Sequence, residues 1–516
     1  MAAASYTTDL ILINECEVTT GFTEPTGATA GGTASQENEF FVQNSFSISK
    51  TFNATGVGGL HFNNGAGVTI PTDGAVFTWI YWTAPNSLAT KANGGQRITV
   101  GSAAGAYRSY YVAGGDTNVY GGWTNYPVNP TVAPSLTTGT PTTTYQYFGY
   151  VVNNTLSISR GNPLGIDVIR YGRGSIIITD GDLANGYATF PAIAAVNDSN
   201  VTGAFNRWGI FSEVQASYKM QGRLQFGSAG TPVDFRDSNR TITIQNTEFV
   251  TPAFNMFEVL NASSRVDWTG INVQSLSTVS RGNFRVTDNA TVNLVGCTFN
   301  DLGTFEFLSN TTVTDNVFRR CELITHGNSN FTQNRITNSV APVALITGTP
   351  GAIQNCTFVS SGTGHAIEIT TPGTYSFIGN TFSNYGSTGT TNAAIYNNSG
   401  GTVTLNITSG DSPTFRDGTG STTNIVASYS ITLEGVKANS EIRVYVGTDP
   451  ATATELDGIE NSGTTFTFSH NVPGSQGYIR IINFDYQAFD LPITFTTEAT
   501  RNITVQQIPD RVARNP

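Results

Sequence analysis

Six positions in this chain could do chemistry together. Glu258, Arg285, Glu306, Glu322, Ala344 and Glu368 occupy equivalent places in short alternating runs, FEVLN, FRVTDN, FEFLSN, CELITHGN, VALITG and AIEITTPG. Inward neighbours such as Phe257 and Val259 make these positions outward ones, because side chains alternate along a strand. If successive runs lie on adjacent strands, Glu306 and Glu322 come about 5 Å apart at the backbone. Two carboxylates at that separation suit the acid and nucleophile of a retaining glycosidase, or the oxygen ligands of a hard cation. A third outcome is an ion ladder in which Arg285 bridges Glu258 and Glu306, with Arg319 or Arg320 relieving Glu322. The ladder is the expectation. No catalytic residue is assigned, and Glu306 and Glu322 are the candidates should the column prove to be a reaction site.

The remaining motifs are weaker. DGDLANG, Asp180 to Gly186, has the outline of a calcium loop, but Ala184 stands where the third oxygen ligand belongs. It reads as a turn with two carboxylates. His61, His326, His365 and His470 are isolated from cysteines and from one another at ligand spacing. No metal site and no cofactor is expected. GxSxG, HExxH, phosphate-loop and CxxC patterns are missing from the sequence. Trp79, Tyr81, Trp82, Trp123 and Trp208 could stack on sugar rings, although aromatics in strands more often fill cores. Trp123, in the loop YGGWTNYP, is the candidate for glycan contact.

The elements that must position these residues are repeats. TITIQNTEF, RVDWTGINV, TVNLVGCTF, TTVTDNVF, NSNFTQNRI, PGAIQNCTF, TYSFIGNTF and TVTLNITSG share one pattern. The apolar residue before the turn falls at Ile244, Trp268, Leu294, Val313, Phe331, Ile353, Phe377 and Leu405, in steps of 18 to 28 residues. One turn of a β-solenoid has this length. No copy can bury its inward face alone, whereas stacked copies share a core and pair every strand with the coil above and below. Some eight coils would span about 40 Å. Phe249, Val273, Phe299, Phe318, Ile336, Phe358 and Phe382 read as a second inward stack. Asn246, Asn316, Asn334, Asn355 and Asn380 mark one corner, where Asn tolerates left-handed backbone angles. Cys297 and Cys356 share a register and read as small core residues.

Composition narrows the function classes. Charged residues make up 12% of the 516 and aromatics 11%, so the chain is poorly charged yet too aromatic for disorder. Net charge is −11, and lysine occurs only at 50, 91, 219 and 437. Phosphate neutralisation on nucleic acid is therefore not expected. Nor is membrane insertion, since no apolar run approaches about twenty residues. The start, MAAASYTTDLILINE, carries no signal-peptide pattern, and the four cysteines form no paired framework. Synthesis and folding in a reducing cytoplasm is the expectation.

Short strands with Gly, Asn and Pro turns fill residues 1–215, among them AVFTWIYWTAP and IDVIRYGRGSIIIT, the latter read as a hairpin. The expected fold is all-β in three domains: an N-terminal β-sandwich (1–215; jelly roll, concanavalin-like), a central right-handed parallel β-helix (216–425), and a small C-terminal antiparallel β-sandwich with its tail (426–516). Arg207 to Phe235 would cap the open end of the helix, whose strand edges need cover. FTWIYWT followed by VVNNTLSISRG resembles concanavalin-like lectin sandwiches. The segments GRLQFGS…VDFRD and GVKANSEIRVY…ELDGIENSG, taken with the domain order, resemble structural proteins of tailed bacteriophages. That resemblance implies a non-enzymatic virion component on the particle surface (tail fibre, tailspike or capsid decoration). It implies a homotrimer that contacts other virion proteins and takes part in attachment or binding of host cell-surface glycan. Virion proteins are made in the host cytoplasm and released by lysis, which fits a chain lacking a leader. The alternatives are a polysaccharide depolymerase tailspike and a bacterial surface adhesin.

Overall fold

Alternating runs bounded by glycine and asparagine become strands throughout. The computed structural model describes residues 5–510 except 118–121, 156–163, 180–186, 199, 202–203, 206–207, 246–247, 279, 428 and 499. Among these the protein is nearly all β, with fifty strands, one α-helix (Phe190–Asp198) and three 3-10 turns. The chain forms two compact units, Met1–Glu306 and Phe307–Pro516, divided within the span 216–425.

The first unit contains two six-stranded antiparallel sheets. Ala75–Trp82 and Leu164–Gly172 are central to one. Gln96–Ala103 and Tyr145–Asn154 are central to the other. Their inward residues, among them Ile80, Trp82, Ile98, Tyr110, Phe148 and Ile166, belong to one buried apolar cluster. The same unit carries three parallel ladders. One runs through Ser175–Thr179, Arg223–Phe226, Met256–Val259, Asn283–Val286 and Phe305–Glu306. The second runs through Ser217–Met220, Thr241–Ile244, Asn272–Ser275 and Thr298–Asn300. The third comprises Asp234–Ser238, Arg265–Thr269 and Thr291–Val295.

Two expectations are corrected here, and one is extended. IDVIRYGRGSIIIT is not a hairpin. Leu164–Gly172 stays in the antiparallel sheet, while Ser175–Thr179 starts a parallel ladder. Gly174, at φ 72°, redirects the chain between them, and a Cβ there would meet the Phe77 ring at 2.4 Å. The ladder edge is covered by Ser5–Thr8, which pairs antiparallel with Ser175–Thr179. Second, the helix joins the piece containing Tyr218 and Phe235 at the ladder start. The helix contributes Phe190, whose ring contacts Phe211, Tyr218, Phe235 and Trp268. Third, the first repeat copy is misaligned. Trp268 pairs with Asp237, and Ile244 pairs with Ser275 in another ladder. Ile242, not Phe249, precedes Val273 in the second stack, and Phe249 packs on Tyr110 in the antiparallel core.

In the second unit the ladders are Thr311–Thr314, Asn330–Thr332 and Ile353–Gln354; Val317–Arg319, Arg335–Thr337, Thr357–Val359 and Thr381–Ser383; and Ile324–Thr325, Val343–Thr347, His365–Ile369, Ile395–Asn397 and Phe415–Asp417. Val313, Phe331 and Ile353 stack as expected, as do Phe318, Ile336, Phe358 and Phe382. At the far end Phe377 pairs with Ile407 rather than Leu405. After residue 428 pairing becomes mainly antiparallel. A four-stranded sheet around Glu441–Val446 and Gln476–Asn483 and a three-stranded sheet around Tyr429–Glu434 share one apolar cluster.

The rungs share a corner turned by a left-handed residue. In the first unit these are Asn239, Gly270 and Gly296 (φ 55°, 64° and 64°), and in the second Asp315, Gln333, Asn355 and Gly379 (φ 58°, 58°, 55° and 68°). Of the asparagines read as left-handed, only Asn355 is. Asn246 lies outside the described residues. Asn316, Asn334 and Asn380 stand one position later, buried to 1% exposure, and their amides hydrogen-bond instead of turning the chain. Asn334 Nδ2 donates to Val313 O at 2.8 Å, and Asn380 Nδ2 donates to Ile353 O at 2.9 Å. Cys297 and Cys356 hold the same place, with Sγ directed at Trp268 O (3.6 Å) and Phe331 O (3.5 Å). The corner side chain thus satisfies a carbonyl that would otherwise face a dry interior.

Candidate functional site

The outward column of the first unit is an ion ladder. Glu258, Arg285 and Glu306 are paired in register on successive strands. Arg285 Nε lies 3.0 Å from Glu306 Oε2, and its Nη1 lies 4.0 Å from Glu258 Oε1. Arg285 and Glu306 are about half exposed (47% and 50%), so their attraction is screened. The neighbouring ladder repeats the device with Arg236, Asp267 and Asn293 in register. There Asn293 Nδ2 donates to Asp267 Oδ1 at 2.6 Å, and Arg265 also pairs with Asp267.

The other half of the expected acid column is not in register. Glu322 belongs to the second unit and lies off the ladder, between Val317–Arg319 and Ile324–Thr325. Ile324 pairs with Leu345 and Leu345 with Ile367, so the outward column there is Thr325, Ile346, Glu368, Tyr396 and Arg416. Ala344 is buried and stands outside it. Arg320, at φ 51°, turns the chain after Val317–Arg319, as Asn338 (φ 52°) does after Arg335–Thr337, and the next ladder strand starts only at Ile324, past Glu322.

Trp123 sits on the edge strand Trp123–Asn125 and is half-buried. Its ring lies against Tyr81 (centroids 5.3 Å) and over Gly165, where a Cβ would fall 3.1 Å from Cη2. Trp82 and Trp208 are buried. The turn Asp180 to Gly186 lies outside the described residues. The histidines are separate: His61 hydrogen-bonds Thr99, His326 hydrogen-bonds Ser329, and His470 packs on Tyr429 and Phe495. Burial pushes His61 down to about 3 and His326 down to about 4, so both are neutral at pH 7. Among the described residues no three His, Cys, Asp or Glu side chains cluster in a way that could hold a metal ion.

The constellation that sequence reading missed is a groove of about 610 Å³ in the second unit, lined by Pro342, Thr363, His365, Glu368, Tyr396 and Arg416 among others. Gly364 permits the close chain approach at its floor, because a Cβ there would lie 2.5 Å from Pro342 O. His365 Nδ1 lies 2.6 Å from Ala393 O. A carbonyl only accepts, so Nδ1 carries the hydrogen and Nε2 is the acceptor. Burial lowers the His365 pKa, and Arg416 adds to the effect against Glu368 and the Ala393 carbonyl. The imidazole stacks on Tyr396 (5.0 Å, 16°), and the Arg416 guanidinium lies over the same ring at 5.3 Å. Glu368 Oε1 accepts from Asn398 Nδ2 at 2.7 Å. The signal was present in the alternation of AAIYNN and PTFRDG, which carries the outward register two rungs past Glu368. Comparison with protein-family models and with curated proteins finds no match to the chain.

Proposed function

We propose that this protein is a non-enzymatic structural component of a bacteriophage virion, exposed on the particle as a tail fibre, spike or capsid decoration. On this reading the parallel ladders of residues 216–425 wind as right-handed β-helix, the hand that parallel crossovers adopt. The antiparallel segments on either side, 1–215 and 426–516, are β-sandwiches that attach or display. One observation carries the reading: the polar side chains of the rungs hold rungs together. Asn334 and Asn380 bind backbone at the corners, and Arg285 pairs Glu306, one of the two candidate acids, in an ion ladder. A low-charge stack of this kind suits a mechanical part that must survive outside a cell.

An antibody against the chain, imaged on purified particles by negative stain, tests the assignment. Labelling of a head or tail feature is the expected result. Label confined to host envelopes, with bare particles, would support the adhesin alternative instead. Light scattering tests assembly, with a trimer mass expected and a monomer mass on and off the particle counting against it. Release of new reducing ends from host polysaccharide, abolished in Glu306→Gln, would move the assignment to a depolymerase.

A further inference from the structure

The groove around Tyr396 carries a guanidinium at one end and hydrogen-bond acceptors at the other. Arg416 is half-buried, and among the described residues its guanidinium makes no hydrogen bond or ion pair, only the contact with the Tyr396 ring. A half-buried cation without an acceptor is a recognition element for an anion, and the guanidinium fork matches a carboxylate. Glu368 does not neutralise it. It stands two rungs away in the same column, about 10 Å along the ladder, and takes its hydrogen bond from Asn398.

The rest of the lining selects further. His365 Nε2 and the Glu368 carboxylate are acceptors, so the ligand must supply donors opposite them. The ladder order places the imidazole on one side of the Tyr396 ring and the guanidinium on the other. The ring therefore offers its edge and hydroxyl, not a face for stacking. A bare phosphate on Arg416 would not span the two rungs to Glu368 and His365. A neutral sugar would leave Arg416 unpaired. We propose that this groove binds an acidic glycan through a sugar carboxylate on Arg416 and sugar hydroxyls on Glu368 and His365. The proposal deepens, and rests on, the glycan-contact part of the surface-protein reading; it assigns no bond cleavage.

Calorimetric titration of the full-length protein with tetragalacturonate and, separately, maltotetraose tests it. Tetragalacturonate is expected to bind at least about tenfold more tightly, with affinity falling as salt rises. Arg416→Gln should remove that preference, and Arg416→Lys, which keeps the charge but not the fork, should fall between. Far-ultraviolet circular dichroism of each variant establishes folding. Equal binding of the two saccharides, binding of neither, an unchanged Arg416→Gln affinity, or a Lys variant as weak as the Gln variant would each overturn the proposal. Particle labelling is read independently. A labelled virion whose protein ignores both saccharides defeats this inference alone, while selective binding by a protein missing from particles defeats the virion assignment alone.

Discussion

Replacing Asn334 by alanine tests whether corner amides hold the rungs together. Asn334 is 1% exposed. Its Oδ1 accepts from Asn316 N at 2.9 Å and Asn316 Nδ2 at 3.1 Å, and its Nδ2 donates to Val313 O at 2.8 Å. Alanine removes all three bonds and leaves a small void. The Asn316 amide and the Val313 carbonyl each lose a partner in a dry interior, at roughly 1–3 kcal/mol apiece. A total of about 3–5 kcal/mol is expected, large beside the stability of an ordinary domain. Asn334→Cys should cost less, by about 1–2 kcal/mol, because a thiol at this corner still reaches the previous rung's carbonyl, as Cys356 Sγ reaches Phe331 O. Urea denaturation gives the stability change, and amide hydrogen exchange at Asn316 reports the local effect. A cost below about 1 kcal/mol, with unchanged protection at Asn316, would refute the reasoning.

Other consequences concern charge and thiols. Asp167 is fully buried in the first unit and accepts hydrogen bonds from the amides of Val42, Gln43 and Val168. Burial outweighs those donors and pushes its pKa up from 3.8 to about 7. The folded state then holds this proton to higher pH than the unfolded chain, so stability is full below about pH 4 and declines as pH rises through about 7, by at most about 4 kcal/mol. In urea titrations at several pH values, Asp167→Asn should flatten this slope; parallel curves for the two proteins would count against it. Cys297 and Cys356 are buried, and burial pushes their thiols up to about 11 and about 12. Neither should react with a thiol reagent until the protein unfolds, and rapid labelling under native conditions would contradict the packing. Arg285→Gln should cost only about 0–1 kcal/mol, because the pair with Glu306 is exposed. A loss above about 2 kcal/mol would show that the ladder is structural rather than superficial.

The all-β character and most of the rung positions follow from sequence alone. Strand alternation is a local property with a period of two, so Trp268, Leu294, Val313, Phe331 and Ile353 reveal themselves as inward residues one by one. Left-handed corners are less legible: Asp315 and Gln333 turn two of them, and the buried Asn316, Asn334 and Asn380 mimic the signal one residue late. Tertiary structure decided which residue meets which across rungs. Corner and loop lengths vary, and a slip of a few residues exchanges one column for another. In this way Ile244 left its expected stack, Phe249 joined the antiparallel core, and Glu322 fell off the ladder that Glu368 occupies. The same lateral register brought His365, Glu368, Tyr396 and Arg416 into one groove. No local pattern encodes that meeting, because it depends on the summed lengths of the intervening turns.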